Sequence, residues 1–393
     1  MTSTKGKTSA AFAQRASSTL TTAGLTAADA VTARLADRGL RSARALGARA
    51  HEIAPRTAGS NFLRDGAFQN LEPDSGGPAP DFQVFVDMVR RPGRPRTSIP
   101  VLTPRFAEEA AELTVTWLGH ASALVELDGA RILTDPVFSR RCSPSDIVGP
   151  ARMHASPVTV ADLPPIDVVL ISHDHYDHLD MTTVVELAVR QPALRFVAPI
   201  GVGAHLEVWG IAADRITEAD WWETRTLTVG TTDLTFTCCP ARHFSGRALT
   251  RNLAQWASWG VAGPTHRMFF SGDTGFTEQF EEVGARLGAV DLTLVAVGAY
   301  DPVWPDIHVN PEEAVAIHRM VTGDAVGDAV MIPIHWGTFN LARHTWGDPI
   351  ARVLPTAAAN AATVLVPPPG GAIDLVGRTG TGVENPAWWE ASA

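Results

Sequence analysis

The run Ile166-Asp167-Val168-Val169-Leu170-Ile171-Ser172-His173-Asp174-His175-Tyr176-Asp177-His178-Leu179-Asp180 decides how the chain is read. It opens behind Pro164-Pro165 with a short apolar stretch, the pattern of a strand buried on both faces. A His-x-His-x-Asp-His cluster follows at once. Imidazole nitrogens and carboxylate oxygens are the donors that borderline divalent metals such as zinc prefer. His173 and His175 are two apart, so extended backbone points them the same way. A turn can then present Asp177 and His178 to a second metal. The bland alternative, a solvated polar loop, leaves a concentration of polar groups at a buried strand's end in need of partners.

Further donors have to come from elsewhere in the chain. His243 lies just past an apolar stretch, in Cys239-Pro240-Ala241-Arg242-His243. Asp273 lies in Ser271-Gly272-Asp273-Thr274-Gly275, and His335 follows Val330-Met331-Ile332-Pro333-Ile334. Each belongs where strands end and loops build a site. Taken singly, Asp273 also reads as an Asx turn, and either histidine as an ordinary core or surface residue. Strands are expected at Leu113–Leu118, Ala123–Leu127, Arg131–Thr134, Arg195–Ala198, Leu234–Thr237, Arg267–Phe270, Leu292–Val297 and Ala329–Ile334, with Asp128-Gly129 as a hairpin turn. A helix is expected over Met181–Val189. Another opens at Asn310-Pro311-Glu312-Glu313, which offers a cap, a proline at the first position and acids in the first turn. Two strand-rich halves, each with helices, give a layered α/β protein.

Composition narrows the function class. The 393 residues carry a net charge of -10, which argues against nucleic acid as a partner. Three cysteines (Cys142, Cys238, Cys239) make no disulfide framework and point to a reducing compartment. The expected location is cytoplasmic, with a peripheral position at the inner membrane face as the companion reading. Residues 1–60 are read as a basic, helical N-terminal arm, 61–112 as a loop-rich lead-in, 113–376 as the catalytic domain and 377–393 as a C-terminal tail. The arm holds nine basic and three acidic residues against the acidic remainder. It reads as a surface helix, as a basic amphipathic helix that meets an anionic membrane, or as an organelle transit peptide.

The order His-x-His-x-Asp-His, His, Asp, His resembles the metallo-β-lactamase superfamily. It is most similar there to the N-acyl-phosphatidylethanolamine-hydrolysing phospholipase D family. Trp117-Leu118-Gly119-His120-Ala121-Ser122, Leu133-Thr134-Asp135-Pro136-Val137-Phe138-Ser139, Asp220-Trp221-Trp222-Glu223, Ser258-Trp259-Gly260-Val261 and Ile334-His335-Trp336-Gly337-Thr338-Phe339 carry the likeness, which covers roughly residues 80–345. It implies a four-layer αββα sandwich, here with an N-terminal helical extension. It also implies two zinc ions, or other divalent metals. His173, His175 and His243 would hold one, and Asp177, His178 and His335 the other. Asp273 would bridge them, and a hydroxide between the metals would be the nucleophile.

Two further residues are candidates for catalysis beside Asp273. Tyr176 would donate to a phosphate oxygen, or is a packed aromatic. His308, in Ile307-His308-Val309-Asn310-Pro311, resembles the family's phosphate-contacting histidine segment and would orient phosphate or protonate the leaving group. The alternative for His308 is capping or surface placement. Asp135 suits a carboxylate that fixes a ligand histidine's tautomer; His120 and Asp180 fit either that role or ordinary hydrogen bonding. Cys238 and Cys239 read as strand residues. His51, His154, His205, His266, His318 and His344 receive no role. Residues 301–307 depart from the family's corresponding segment and are expected at the substrate mouth.

The resemblance implies a phosphodiesterase of phospholipase D type acting on N-acyl-phosphatidylethanolamine-like lipids, with a phospholipid or other phosphodiester as substrate. The alternatives are a hydrolase of a lactone, thioester or soluble phosphodiester on the same fold, and a non-catalytic metal-binding membrane adaptor. Removal of residues 1–55 is expected to weaken binding to anionic vesicles and to spare turnover of a soluble phosphodiester. Equal vesicle binding with and without the arm counts against a membrane role for it.

Overall fold

The strands that carry the decisive run are apolar at every position because both their faces are covered. Ile132, Val168, Leu170 and Val197 point into a core between two sheets, whereas their neighbours Leu133, Val169, Ile171 and Phe196 point outward under helices. A computed structural model describes residues 39–73, 75, 93–247, 251–385 and 387–393. Residues 1–38 of the expected arm and the Gly-Gly-Pro-Ala-Pro run at 76–80 lie outside the described residues.

The first sheet contains β1 (Leu113–Gly119), β2 (Ser122–Leu127), β3 (Ala130–Thr134), β4 (Val168–Leu170), β5 (Arg195–Pro199) and β6 (Ile216–Ala219). The second contains β7 (Thr224–Val229), β8 (Thr232–Cys239), β9 (Ser258–Ala262), β10 (Arg267–Phe270), β11 (Leu292–Ala296), β12 (Val330–Ile334) and β13 (Thr363–Val364). The chain then returns to the first sheet with β14 (Ala372–Asp374) and β15 (Thr379–Gly380). Strand orders are β15-β14-β1-β2-β3-β4-β5-β6 and β13-β12-β11-β10-β9-β8-β7. In each sheet an antiparallel half passes into a parallel one, at β3 and at β10. The outer layers are helical. Residues of α2 (Met181–Arg190) and α3 (Gly203–Val208) cover the first sheet. Residues of α4 (Gln279–Leu287), α5 (Pro311–Thr322) and α6 (Asp348–Ala359) pack into the second sheet's core. This is the expected αββα arrangement. The Asn310 cap forms as read: its side chain accepts from Glu313 N–H, and Glu313 accepts in return.

Tryptophans weld the sheets together. Trp117 of β1 stacks on Trp336 past β12, with ring centroids 5.4 Å apart and planes 9° off parallel. The Trp259 indole donates to Ile171 O at 2.9 Å, and Ala257 N–H donates to Ser172 O at 2.9 Å. The second sheet thus grips the first where the metal-type motif begins.

Four features differ from the sequence expectation. Strand β8 runs longer than 234–237 and pairs with β7, whose polar, edge-type pattern gives little apolar signal. Strand β9 extends the sheet through Trp259, a residue that sequence reading treats only as a motif. The segment 377–393 packs onto the domain: β15 pairs with β14, Trp388 and Trp389 are buried, and the Trp388 indole donates to Val366 O at 2.7 Å. Residues past 44 of the arm are built into the domain as well. Helix α1 (Ala50–Thr57) buries Ile53, and Arg56 pairs with Glu207 and Glu218. Deletion to residue 55 therefore removes packing as well as charge, and removal of residues 1–38 is the cleaner vesicle test.

Gly272 sits at φ +54°, and a Cβ there would lie 2.6 Å from Ser172 Cβ and 2.8 Å from Ala257 O. Gly272→Ala is expected to destabilise the chelator-treated protein by about 2–4 kcal/mol, read as a lowered urea midpoint. An unchanged midpoint would contradict this close approach.

Candidate metal centre

Six strands deliver polar residues to one edge of the sandwich. His120 follows β1, Asp135 follows β3, the 172–180 run follows β4, His243 follows β8, Asp273 follows β10 and His335 follows β12. His120, Asp135 and His335 turn there through left-handed backbone, with φ of +55°, +32° and +60°. The turn after His175 is closed by His178 N–H and Leu179 N–H, both donating to His175 O. It places Asp177 and His178 on the inner side, as the spacing predicts.

The donor atoms converge in two groups. His173 Nε2 lies 2.8 Å from His175 Nδ1, and His243 Nε2 lies 3.3 Å from the same atom. In the other group, His335 Nε2 is 3.4 Å and His178 Nε2 3.6 Å from Asp177 Oδ2. Asp273 stands between them. Its Oδ2 is 3.0 Å from His178 Nε2, 3.1 Å from His335 Nε2, 3.7 Å from His243 Nε2 and 3.9 Å from His173 Nε2. His308 Nδ1 stands 3.8 Å from the same oxygen, and its ring stacks on His335.

This donor set fits divalent cations, because the far side of the ring is committed in three of the histidines. His178 Nδ1 donates to Asp135 Oδ2 at 2.6 Å. His243 Nδ1 donates to Ile307 O at 2.9 Å. Ser172 Oγ donates to Asp135 Oδ2 at 2.5 Å, so it accepts from His173 Nδ1 at 2.9 Å. Each of these rings therefore turns a bare Nε2 toward the centre. The inward atoms His178 Nε2, His335 Nε2 and Asp273 Oδ1 are buried without a hydrogen-bond partner, a costly arrangement unless a cation takes their lone pairs. Burial pushes the Asp273 and Asp177 carboxyls up, but the neighbouring imidazoles hold both well below the ordinary carboxylate range. Burial, joined by the surrounding imidazoles, drives His173 and His243 well down, whereas the carboxylates Asp273 and Asp177 outweigh burial at the other two rings, holding His178 well up and His335 at about 9. Burial and the charge of neighbouring His335 bring His308 down to about 4, against the pull of Asp273.

Other sequence candidates find different places. His120 Nε2 donates to Asp177 Oδ2 at 3.0 Å and so steadies that carboxylate. Asp180 caps α2 through Thr182 N–H. Cys238 and Cys239 pair within β8 opposite Trp259 and Ser258, and burial pushes the Cys239 thiol up to about 12. The Tyr176 ring is not among the converging groups; it lies 4.1 Å from the Arg247 guanidinium and lines a separate cavity. Residues 303–307 form one wall of a cavity of about 540 Å³ that also takes in His243, Phe244 and Arg251, the position expected of the departing segment.

Sequence reading missed the outer brace of the motif. Asp174 accepts from His205 Nε2 at 3.2 Å and from Gly246 N–H at 2.6 Å. His205 Nδ1 in turn accepts from Ala48 N–H at 2.8 Å. Buried Arg247 donates to Asp174 O, Leu179 O and Ala45 O, bracketing the loop from both ends. No spacing signal links residues 45, 174, 205 and 247. Asp135→Asn keeps the shape and removes the anionic acceptor of His178, so metal affinity is expected to fall about 10–100-fold. Competition with a chromophoric chelator measures this, and unchanged affinity would refute the orienting role.

The sequence profile of the β-lactamase superfamily domain matches residues 130–336. An uncharacterized protein of Mycobacterium tuberculosis is 50% identical over 351 residues, 88% of this chain and 91% of that one. N-acyl-phosphatidylethanolamine-hydrolyzing phospholipase D 1 of Caenorhabditis elegans is 38% identical over 235 residues, 58% of this chain and 64% of that enzyme. The structure of Igni18, a metallo hydrolase from Ignicoccus hospitalis, shares the fold with a TM-score of 0.52 at 22% identity, covering 66% of this chain and 97% of that one. With its two facing sheets and the His/Asp clusters at one edge, the chain belongs to the β-lactamase superfamily and is a metal-dependent hydrolase of the metallo-β-lactamase fold.

Proposed function

We propose that the protein is a dinuclear zinc phosphodiesterase of phospholipase D type, cleaving N-acyl-phosphatidylethanolamine-like lipids to a phosphatidic acid and an N-acylethanolamine-type alcohol. The observation that carries this reading is the pair of donor groups sharing Asp273, with His308 beside them. In it, His173, His175 and His243 would hold one ion and Asp177, His178 and His335 the other, with Asp273 available to both. The ions would supply Lewis acidity toward phosphoryl oxygens and a water of lowered pKa. Nitrogen and oxygen donors in this number suit zinc.

The chain's own residues then have distinct tasks. Asp135, Ser172 and Ile307 O hold the imidazole tautomers. His308 is neutral near pH 7, because its pKa lies near 4, and its Nδ1 has no partner. Its place 3.8 Å from Asp273 Oδ2 assigns it to contact with the phosphoryl group. Tyr176, packed against Arg247, is assigned to bracing the loop. The named activity of the worm relative supports the lipid class. Beside His243 lies a cavity of about 540 Å³ whose wall mixes Phe244, Val303 and Trp304 with Asn70, Arg251, Asn252 and Asp306. A lactone or thioester hydrolase on the same fold has no observation of its own in favour.

The test is release of the alcohol from micellar N-acyl-phosphatidylethanolamine by zinc-loaded protein. Asp273→Ala is expected to abolish release. His308→Ala is expected to keep its metal and lose about 10²–10³ in kcat, the usual cost of one positioned donor to a developing oxyanion. No release from protein shown to carry two metals per chain overturns the lipid reading.

A further inference from the structure

The cavity wall at 303–307 and the ligand-type residue His243 are built from one set of loops. Ile307 O accepts from His243 Nδ1 at 2.9 Å, and residues 303–307 line the cavity together with His243 and Phe244. A carbonyl on a connecting segment orients an imidazole only as well as that segment is itself fixed. Asp306, the residue before Ile307, does the fixing.

Asp306 gathers donors from two other segments. Its Oδ1 lies 2.9 Å from Arg242 Nη2 and accepts from Ser75 Oγ at 2.6 Å. Its Oδ2 accepts from Ser75 N–H at 2.6 Å. Arg242 directly precedes His243, and its guanidinium also donates to Pro73 O at 2.6 Å and Phe276 O at 3.1 Å. Its backbone N–H donates to Thr274 Oγ1 at 3.0 Å, and its O accepts from Gly275 N–H at 2.6 Å. Gly275 lies two residues past Asp273 and leaves no room for a side chain: a Cβ there would stand 2.3 Å from the backbone carbonyl of Asp306. The Arg242 and Asp306 side chains are 12% and 14% exposed, so water competes weakly for this charged pair. The other end of the segment is anchored separately. Asp301 accepts from Arg343 Nε and Nη2, both at 2.6 Å, and the Trp304 indole donates to Ala299 O at 2.9 Å.

We propose that Asp306 is a positioning residue for the metal centre. Paired with Arg242, it holds Ile307 O against His243 Nδ1, so the segment that walls the cavity also sets one metal ligand. The proposal rests on the metal-ligand reading of His243 and is independent of which substrate is cleaved. A brace serving stability alone would bear on no imidazole more than another. This one is selective, because His178 Nδ1 is held by Asp135 at a different strand end.

The test is imidazole N–H exchange, followed by NMR in the zinc-loaded full chain isotope-labelled on histidine. The variants are Asp306→Ala and the milder Asp306→Asn, which keeps an acceptor for Ser75. Both are expected to speed exchange of the His243 Nδ1 proton, about tenfold or more in Asp306→Ala, and to leave the His178 Nδ1 proton unchanged. Zinc affinity, read by competition with a chelator, should fall about tenfold in Asp306→Ala, the scale set by loss of support behind a ligand histidine. If Asp306→Ala does not fold, Asp306→Asn decides by the same contrast between the two histidines. Unchanged exchange at His243, or equal acceleration at His243 and His178, overturns the proposal. Absence of lipid turnover by the wild-type protein sinks the phospholipase reading and leaves the exchange rates to decide this one.

Discussion

One buried carboxylate that has no place for substrate sets the geometry of the site. Asp135 is fully buried past β3 and takes hydrogen bonds from Ser172 N–H, Ser172 Oγ and His178 Nδ1. Through His178 it aims one donor group, and through Ser172 and His173 it aims the other. An ionised group at that depth is tolerated only when its lone pairs are filled, so the three donors and Asp135 require one another. The surrounding strands, apolar on both faces, exclude the water that would otherwise relax this arrangement.

Around that carboxylate the chain is fastened from several sides. The second sheet reaches across through Trp259 and Ala257 to hold Ile171 and Ser172. Arg247 ties both ends of the loop to Ala45, and His205 links Asp174 to Ala48. Segments far apart in sequence thus bear on residues 171–179. Hydrolysis at a phosphodiester needs positioned donors rather than adaptable ones, since the charge that develops in the transition state is stabilised only by groups already in place.

One cavity adjoins this loop and another lies at His243. The one at His243 mixes Phe244, Val303 and Trp304 with Asn70, Arg251, Asn252 and Asp306. The other has Arg41, Arg140, Arg141 and Arg247 in its wall with Asp146 and Asp180. Among the described residues no helix is long and apolar enough to cross a membrane.

The donor residues themselves were legible in the sequence because a metal-type motif is local: strand, turn and helix place His173, His175, Asp177 and His178 by spacing alone. His243, Asp273 and His335 were legible as polar residues directly past apolar strands, and their ordered set gave the fold class. Strands β7 and β9, the pairing of β14 with β1 and the burial of Trp388 were not, because edge strands and long-range pairing leave little periodic trace. Nor was the brace of Arg247, His205 and Asp174, or the placing of Tyr176 against an arginine. The sequence by itself determined which atoms are able to bind a cation and which stretches must be buried. Only the tertiary structure decided where their free nitrogens point, because the rings of His178 and His243 are oriented by Asp135 and Ile307, tens of positions away.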